Sequence, residues 1–223
     1  MAWRRILHGL ILAVLVVSRA DAGAWPRAEG AIFATAATRL AWPQDIYTWT
    51  SYAPTQQYST IYLEYGLTER ITLGLDLGRS VSGAEKTIAF AQYPLRARDS
   101  GLKATAQLGF GTIDAARIVR PGVSFGLGHR LGWLAADSVA EIGLDTGDTD
   151  AKLDLTLGAN LPRGFKLILQ MQLGAPAANP RFARFAPSVV VPLGQRFKGE
   201  AGVTWGLRGD SSMGIKLGLW AEF

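Results

Sequence analysis

The chain has 223 residues, no cysteine, a formal net charge of +5, and 48% hydrophobic against 18% charged residues. Without cysteine it is neither a disulfide scaffold nor a lipid-anchored precursor, which would need that residue at its cleavage point. Arg4, Arg5 and Arg19 against Asp21 place +2 of the charge in the first 22 residues; the +3 left for the rest is too small and too dispersed for nucleic-acid binding.

The first element in chain order is a secretory leader. Arg4 and Arg5 precede an apolar run from Ile6 to Val17, and Ala20-Asp21-Ala22 supplies a small-x-small cleavage pattern. The run is shorter than the roughly 20 residues of a spanning helix, so residues 1–22 read as a removed signal peptide. The mature chain, residues 23–223, then starts at Gly23 and forms one domain.

After the leader the apolar residues are dispersed at period two. Ile71, Leu73, Leu75 and Leu77 alternate with Thr72, Gly74, Asp76 and Gly78, and Leu153, Leu155 and Leu157 alternate with Lys152, Asp154, Thr156 and Gly158. Phe165, Leu167, Leu169, Met171 and Leu173 do the same against Lys166, Ile168, Gln170, Gln172 and Gly174. A soluble β-sandwich also alternates, but its strands are typically about 5 or 6 residues. Membrane-barrel strands run about 9 to 11, and these segments are of the longer kind. Strands are expected near 29–40, 58–67, 70–79, 87–95, 102–111, 118–128, 132–143, 151–161, 165–174, 184–192, 197–207 and 212–223. The fold class is therefore all-β: a transmembrane antiparallel up-and-down β-barrel of about twelve strands, with ten or fourteen if a hairpin merges or splits. "GLTER", "RARDSG", "GHRL", "LPRG" and "LGQR" read as compact basic turns on one side. Residues 41–57, 80–86, 145–150 and 175–183 read as generally longer loops on the other.

The final segment, "GIKLGLWAEF", is the expected closing strand. Ile215, Leu217, Leu219, Ala221 and Phe223 face lipid, and Lys216, Gly218, Trp220 and Glu222 face the lumen. A last strand ending in Phe223, with Ala221, Leu219 and Leu217 before it, resembles the signal that the barrel-assembly machinery reads in outer-membrane proteins. "GAWPRAEGAIF" at 23–33 and "EYGLTERITLGLDL" at 64–77 together resemble a bacterial outer-membrane family labelled "meta-pathway of phenol degradation". The resemblance covers about a third of the chain and implies a porin-like envelope or uptake role. In the second stretch Gly66 and Thr68-Glu69 also suit a tight turn, and Arg70 a headgroup boundary. Trp25, Trp42, Tyr47, Trp49, Tyr52, Tyr58, Tyr65, Tyr93, Trp133 and Trp205 are expected in interfacial girdles or in the long first loop.

Parity assigns thirteen charged residues to the lumen: Glu64, Asp76, Lys103, Arg120, Asp137, Glu141, Lys152, Asp154, Lys166, Lys198, Glu200, Lys216 and Glu222. Hairpin geometry sets Glu141 near Lys152. Inward glycines at 74, 109, 126, 158, 202 and 218 suggest room for a narrow water-filled pore.

No catalytic site is expected. Of the two histidines, His8 leaves with the leader and His129 falls in a turn. The acidic stretch Asp145 to Asp154 resembles part of a calcium loop but lacks the closing glutamate, so no metal or other cofactor is expected. The leading expectation is a passive outer-membrane channel for small solutes, with hydrophobic or aromatic ones implied by the resemblance. A plugged structural or surface-interaction barrel is the alternative, and an outer-membrane enzyme using carboxylates alone is a third. Expected partners are outer-membrane lipid, lipopolysaccharide and the assembly machinery, with the barrel monomeric.

Overall fold

The structure, a computed structural model, describes residues 23–96 and 101–223. The expected leader and part of the "RARDSG" turn lie outside these residues. Twelve strands occur in chain order: β1 (Ile32–Pro43), β2 (Gln56–Gly66), β3 (Thr72–Ser80), β4 (Glu85–Arg96), β5 (Leu102–Ile113) and β6 (Ala116–His129) in the first half. The second half holds β7 (Gly132–Gly143), β8 (Thr149–Asn160), β9 (Lys166–Ala175), β10 (Phe182–Pro192), β11 (Phe197–Arg208) and β12 (Ser212–Glu222). Each strand pairs antiparallel with its sequence neighbours, and β12 pairs with β1, so the sheet closes into a barrel. The seam runs from Phe33 opposite Glu222 to Pro43 opposite Ser212. It is locked at its end by reciprocal backbone bonds, Ile32 N to Phe223 O at 3.0 Å and Phe223 N to Ile32 O at 2.9 Å.

Closure is what lets such a sheet stand in lipid, because no backbone group is left at an edge. The outer wall matches that solvent. Ile61, Leu108, Phe110, Leu134, Leu155, Leu157, Val203, Leu217 and Leu219 are all exposed large apolar side chains. Their partners in the alternation are buried inside: Thr72, Asp76, Thr105, Ser124, Thr156 and Ser188. A closed barrel with an oily outside and polar groups inside is the inverse of a soluble β-protein, and it belongs in a membrane.

The expected boundaries differ most at β1, which begins three residues late. Residues 23–31 are not wall. Gly30, at φ +77°, turns the chain, Ala31 N bonds Ala28 O at 3.0 Å, and the segment before it runs into the lumen. Both strands of the β5–β6 hairpin are longer than expected and meet in a two-residue turn. Asp114 and Ala115 there adopt φ of 49° and 66°, as tight hairpin turns require. The asymmetry of connections consequently rests on one loop, residues 44–55 between β1 and β2. The end of the barrel carrying this loop is called the loop end, and the opposite one, where β1 starts and β12 finishes, the terminal end.

The long loop is tied by its own aromatics. Trp42 Nε1 donates to Tyr52 O at 3.0 Å and Trp49 Nε1 to Pro43 O at 2.9 Å, while the Trp42 and Trp49 rings stack at 6.3 Å. Tyr65, Tyr93 and Trp205 sit outward near strand ends as a girdle would. Trp25 and Trp133 do not. They are 7% and 5% exposed, inside the barrel: Trp133 shares the inward parity of Asp137 and Glu141, and Trp25 precedes the wall altogether.

Leu155 faces lipid halfway along β8, so Leu155→Arg is expected to cost about 2–4 kcal/mol in reversible folding into lipid vesicles. Leu207→Arg, near the loop end of β11, should cost about 0–1 kcal/mol. Equal costs at the two depths would contradict a membrane-spanning orientation.

Candidate functional site

The inward faces of the strands enclose a cavity of about 880 Å³. Nine of the thirteen residues assigned to the lumen line it: Glu64, Asp76, Arg120, Asp137, Glu141, Lys152, Asp154, Glu200 and Lys216. Lys103, Lys166, Lys198 and Glu222 hold the same inward parity but lie at the terminal end, away from the cavity lining. No residue of the loop 44–55 lines the cavity, so the long loop stands clear of it.

Charges of the loop half are joined along the wall. Asp76 Oδ2 accepts from Lys86 Nζ at 2.8 Å and from Arg120 Nη1 at 2.6 Å. Arg120 Nη1 also lies 4.0 Å from Glu141 Oε1, and Lys152 Nζ reaches Glu141 Oε2 at 2.5 Å. This chain of alternating charge crosses β3, β4, β6, β7 and β8. It can pass β5 because the residue opposite Arg120 is Gly109, with no side chain in the way. The expected Glu141–Lys152 pair is thus part of a larger network. Arg120 and Glu141 are each only 5% exposed, so their charges are held by one another and not by water.

The opposite wall repeats the theme on a smaller scale. Glu200 Oε1 accepts from Lys216 Nζ at 2.8 Å and Ser188 Oγ at 2.7 Å, and its Oε2 accepts from Trp220 Nε1 at 3.0 Å. Arg184 Nε donates to Asp210 Oδ2 at 2.7 Å at the loop rim. Asp210 lies outside the strands. Its partial burial would raise its pKa, but hydrogen bonds from the Ser212 hydroxyl and amide and from Arg184 outweigh that and lower it.

The terminal half of the lumen also holds an apolar cluster. Trp25, Phe33, Trp133, Ile168, Val190 and Trp220 pack with Ala24 and Ala135 into one buried cluster drawn from the segment before β1 and from strands around the barrel. The inward glycines make this packing fit. A Cβ on Gly158 would come within 2.2 Å of the Trp133 ring directly opposite, and one on Gly126 within 2.4 Å of Trp25. The space expected to hold water at these glycines is occupied by aromatic rings from neighbouring elements. The same holds for Gly74 under Phe90.

Residues 23–31 form a strap that enters through the terminal end. Arg27 Nε bonds Glu64 Oε2 at 2.5 Å, its amide donates to Thr72 Oγ1 at 3.0 Å, and its guanidinium lies 4.2 Å from the Phe33 ring centroid. Tyr62 donates to the other Glu64 oxygen at 2.6 Å. Gly66 is needed where the strap passes, since a Cβ there would lie 1.9 Å from the Ala28 carbonyl oxygen. The expected turn chemistry rests instead on Thr68, whose hydroxyl accepts from the Arg70 and Ile71 amides. The strap's Gly23 carbonyl accepts from Thr105 at 2.8 Å.

Sequence reasoning missed Arg27, Arg39, Tyr62, Lys86 and Arg184 among the cavity residues. Both Lys86 and Arg184 were within reach: Arg184 lies in the expected strand 184–192 on the inward parity of Ser188 and Val190, and extending the expected strand 87–95 by one residue gives Lys86 the inward parity too. Arg27 carried no such signal, being outside any alternation.

Two carboxylates of the acidic stretch, Asp145 and Asp150, are engaged locally. Asp145 holds Arg117 Nη2 at 2.6 Å, and this contact lowers the pKa of Asp145. Asp150 accepts from the Ala177 amide at 2.8 Å, and Asp154 faces the lumen. His129 is exposed at the end of β6, beside the β6–β7 turn, with Nδ1 accepting from the Leu131 amide at 3.3 Å.

Arg120→Met would leave Asp76 and Glu141 with only Lys86 and Lys152 as partners and is expected to cost up to about 3–5 kcal/mol in vesicle refolding, with much of the loss recovered by adding Asp76→Asn. No recovery in the double variant would mean the network is not coupled. For Asp210 the lowered folded pKa means the contribution is present above the unfolded value and lost as pH falls through the lowered one. Protection of the Ser212 amide from hydrogen exchange should therefore persist below the ordinary carboxylate range and vanish in Asp210→Ala, which has no acceptor, at all pH values.

No family model matches the chain, and no curated protein does. Among solved structures it is similar to the NanC porin at a TM-score of 0.67 and 7% identity, covering 85% of this chain and 100% of that one. A KdgM porin in complex with disordered oligogalacturonate gives a TM-score of 0.64 at 7% identity, covering 85% and 99%. The COG4313 outer membrane channel from Pseudomonas putida F1 gives 0.59 at 9% identity, covering 92% and 100%. At these identities the likeness is one of fold, and the chain has the closed twelve-strand barrel fold of porin-like outer-membrane proteins.

Proposed function

We propose that this protein is an outer-membrane channel for small polar solutes, open at the loop end and closed at the terminal end by its own strap. The observation that carries the reading is the cavity of about 880 Å³, walled by paired charges of both signs and floored by Trp25, Trp133 and Trp220. Mixed paired charge suits passage of small hydrophilic or zwitterionic solutes without strong retention. The tryptophan floor favours a second reading, passage of aromatic or hydrophobic solutes, as the resemblance to the phenol-degradation family implies. The proposed action is non-enzymatic, in keeping with the exposed position of His129 beside a turn. In this reading the barrel is a monomer, the loop end faces lipopolysaccharide, and Phe223 at the seam is the residue presented to the assembly machinery with Ala221, Leu219 and Leu217.

Single-channel recording of residues 23–223 refolded into planar bilayers tests this. The wild-type barrel should rest mostly closed, and Trp25→Gly should give larger and more frequent steps. Lys216→Glu and Glu141→Lys should shift ion selectivity in opposite directions. Vesicle swelling with a small sugar and with a phenol-sized aromatic distinguishes the two solute readings. Silence from inserted Trp25→Gly barrels would favour the plugged structural alternative.

A further inference from the structure

Two carboxylates inside the barrel lack the ion pair that Glu64, Asp76, Glu141, Glu200 and Glu222 each make among the described residues. Asp137 on β7 and Asp154 on β8 are register partners, both inward and both lining the cavity. Neither has an ion-pair partner among the described residues, and the nearest inward lysine along β8, Lys152, is committed to Glu141. Asp137 Oδ1 is fully covered and has no hydrogen-bond partner among those residues. Two like charges opposite each other, one with an orphaned buried oxygen, are costly unless a cation arrives.

The backbone of Gly23 and the Ser124 hydroxyl lie beside this carboxylate. A Cβ built on Gly23 would lie 2.9 Å from Asp137 Oδ1, 2.9 Å from Ser124 Oγ and 3.5 Å from Gln92 Nε2, so only glycine approaches this closely without displacing them. Gly23 is also the residue that follows the Ala20-Asp21-Ala22 cleavage pattern. Removal of residues 1–22 converts its neutral amide nitrogen into a primary ammonium with three donors. We propose that this new α-ammonium group is the cation that Asp137 and Asp154 are arranged to hold, so that signal-peptide cleavage turns the neutral contact of Gly23 into an ion pair that locks the strap in the lumen.

The strap is then pinned at two points. Arg27 on Glu64 holds it near the terminal end, and the ammonium on Asp137 holds its tip, with Trp25 between them filling the floor. In an uncleaved chain Gly23 presents only a neutral amide to Asp137, with one donor and no charge, so the second contact is not an ion pair. The assignment of a closing role to the strap rests on the channel reading above; the ammonium contact itself does not.

The test is reactivity of the α-amino group in protein isolated from membranes in detergent, with intact mass used to confirm that the chain begins at Gly23. The probe is a pyridinecarboxaldehyde that reacts selectively with chain N-termini. Labelling of the folded barrel should be about tenfold or more slower than of urea-unfolded chain, and Asp137→Asn should remove about a tenfold share of that protection. If Asp137→Asn fails to fold, a refolded chain with one serine placed before Gly23 moves the ammonium off the site and should label as fast. The proposal is overturned if the isolated chain begins elsewhere, if the folded barrel labels as fast as the unfolded chain, or if a folded Asp137→Asn barrel or the serine-extended chain is as protected as the wild type. Because labelling needs no conductance, slow labelling with electrically silent barrels would support the lock and remove the channel reading. Fast labelling with clear conductance would do the reverse.

Discussion

Everything in this molecule depends on the hydrogen bonds that join β1 to β12. A sheet in hydrocarbon cannot leave a row of amides and carbonyls unpaired, because lipid offers no substitute partner. The seam satisfies that demand along eleven residue pairs, from Phe33–Glu222 to Pro43–Ser212. Once the sheet is closed, the alternation along every strand becomes a division between lipid and lumen. Leu217 and Leu219 point outward for the same geometric reason that Lys216 and Trp220 point inward.

A twelve-strand barrel lies between those that side chains fill and those that leave an open channel. This one is divided by height. In the terminal half, glycines sit across from large rings, as Gly158 does from Trp133, and the volume surrendered by one strand is taken up by the next. In the loop half, paired charges line the cavity walls. Lys86, Asp76, Arg120, Glu141 and Lys152 alternate in sign, so each buried ion is stabilised by its neighbours. The strap joins these halves, because its Trp25 belongs to the apolar floor while Gly23 reaches Asp137 in the cavity wall.

Alternation was legible in the sequence because it is a local property: period two appears in any ten residues, and the inward parity of all thirteen assigned charges follows from it. Closure could be reasoned from that pattern, since lipid leaves no other arrangement for such strands. The strap was not legible, since residues 23–28 carry no period and residues 29–31 read as the beginning of β1. Trp133 was set in a girdle because a tryptophan near a strand end usually belongs there, although its parity already pointed inward.

By itself the sequence therefore determined strand number, which side of each strand meets lipid, and the sign of the charges inside, all consequences of short-range periodicity in a solvent that forbids open edges. Only the tertiary structure decided what the interior volume contains. Whether an inward glycine leaves a void or seats a ring depends on the residue packed over it, which for Gly126 is Trp25 of the strap, about a hundred positions away in the chain. The partner of Glu64 is likewise Arg27, on a segment outside the wall. Such contacts arise when the sheet closes around the strap, and no local pattern encodes them.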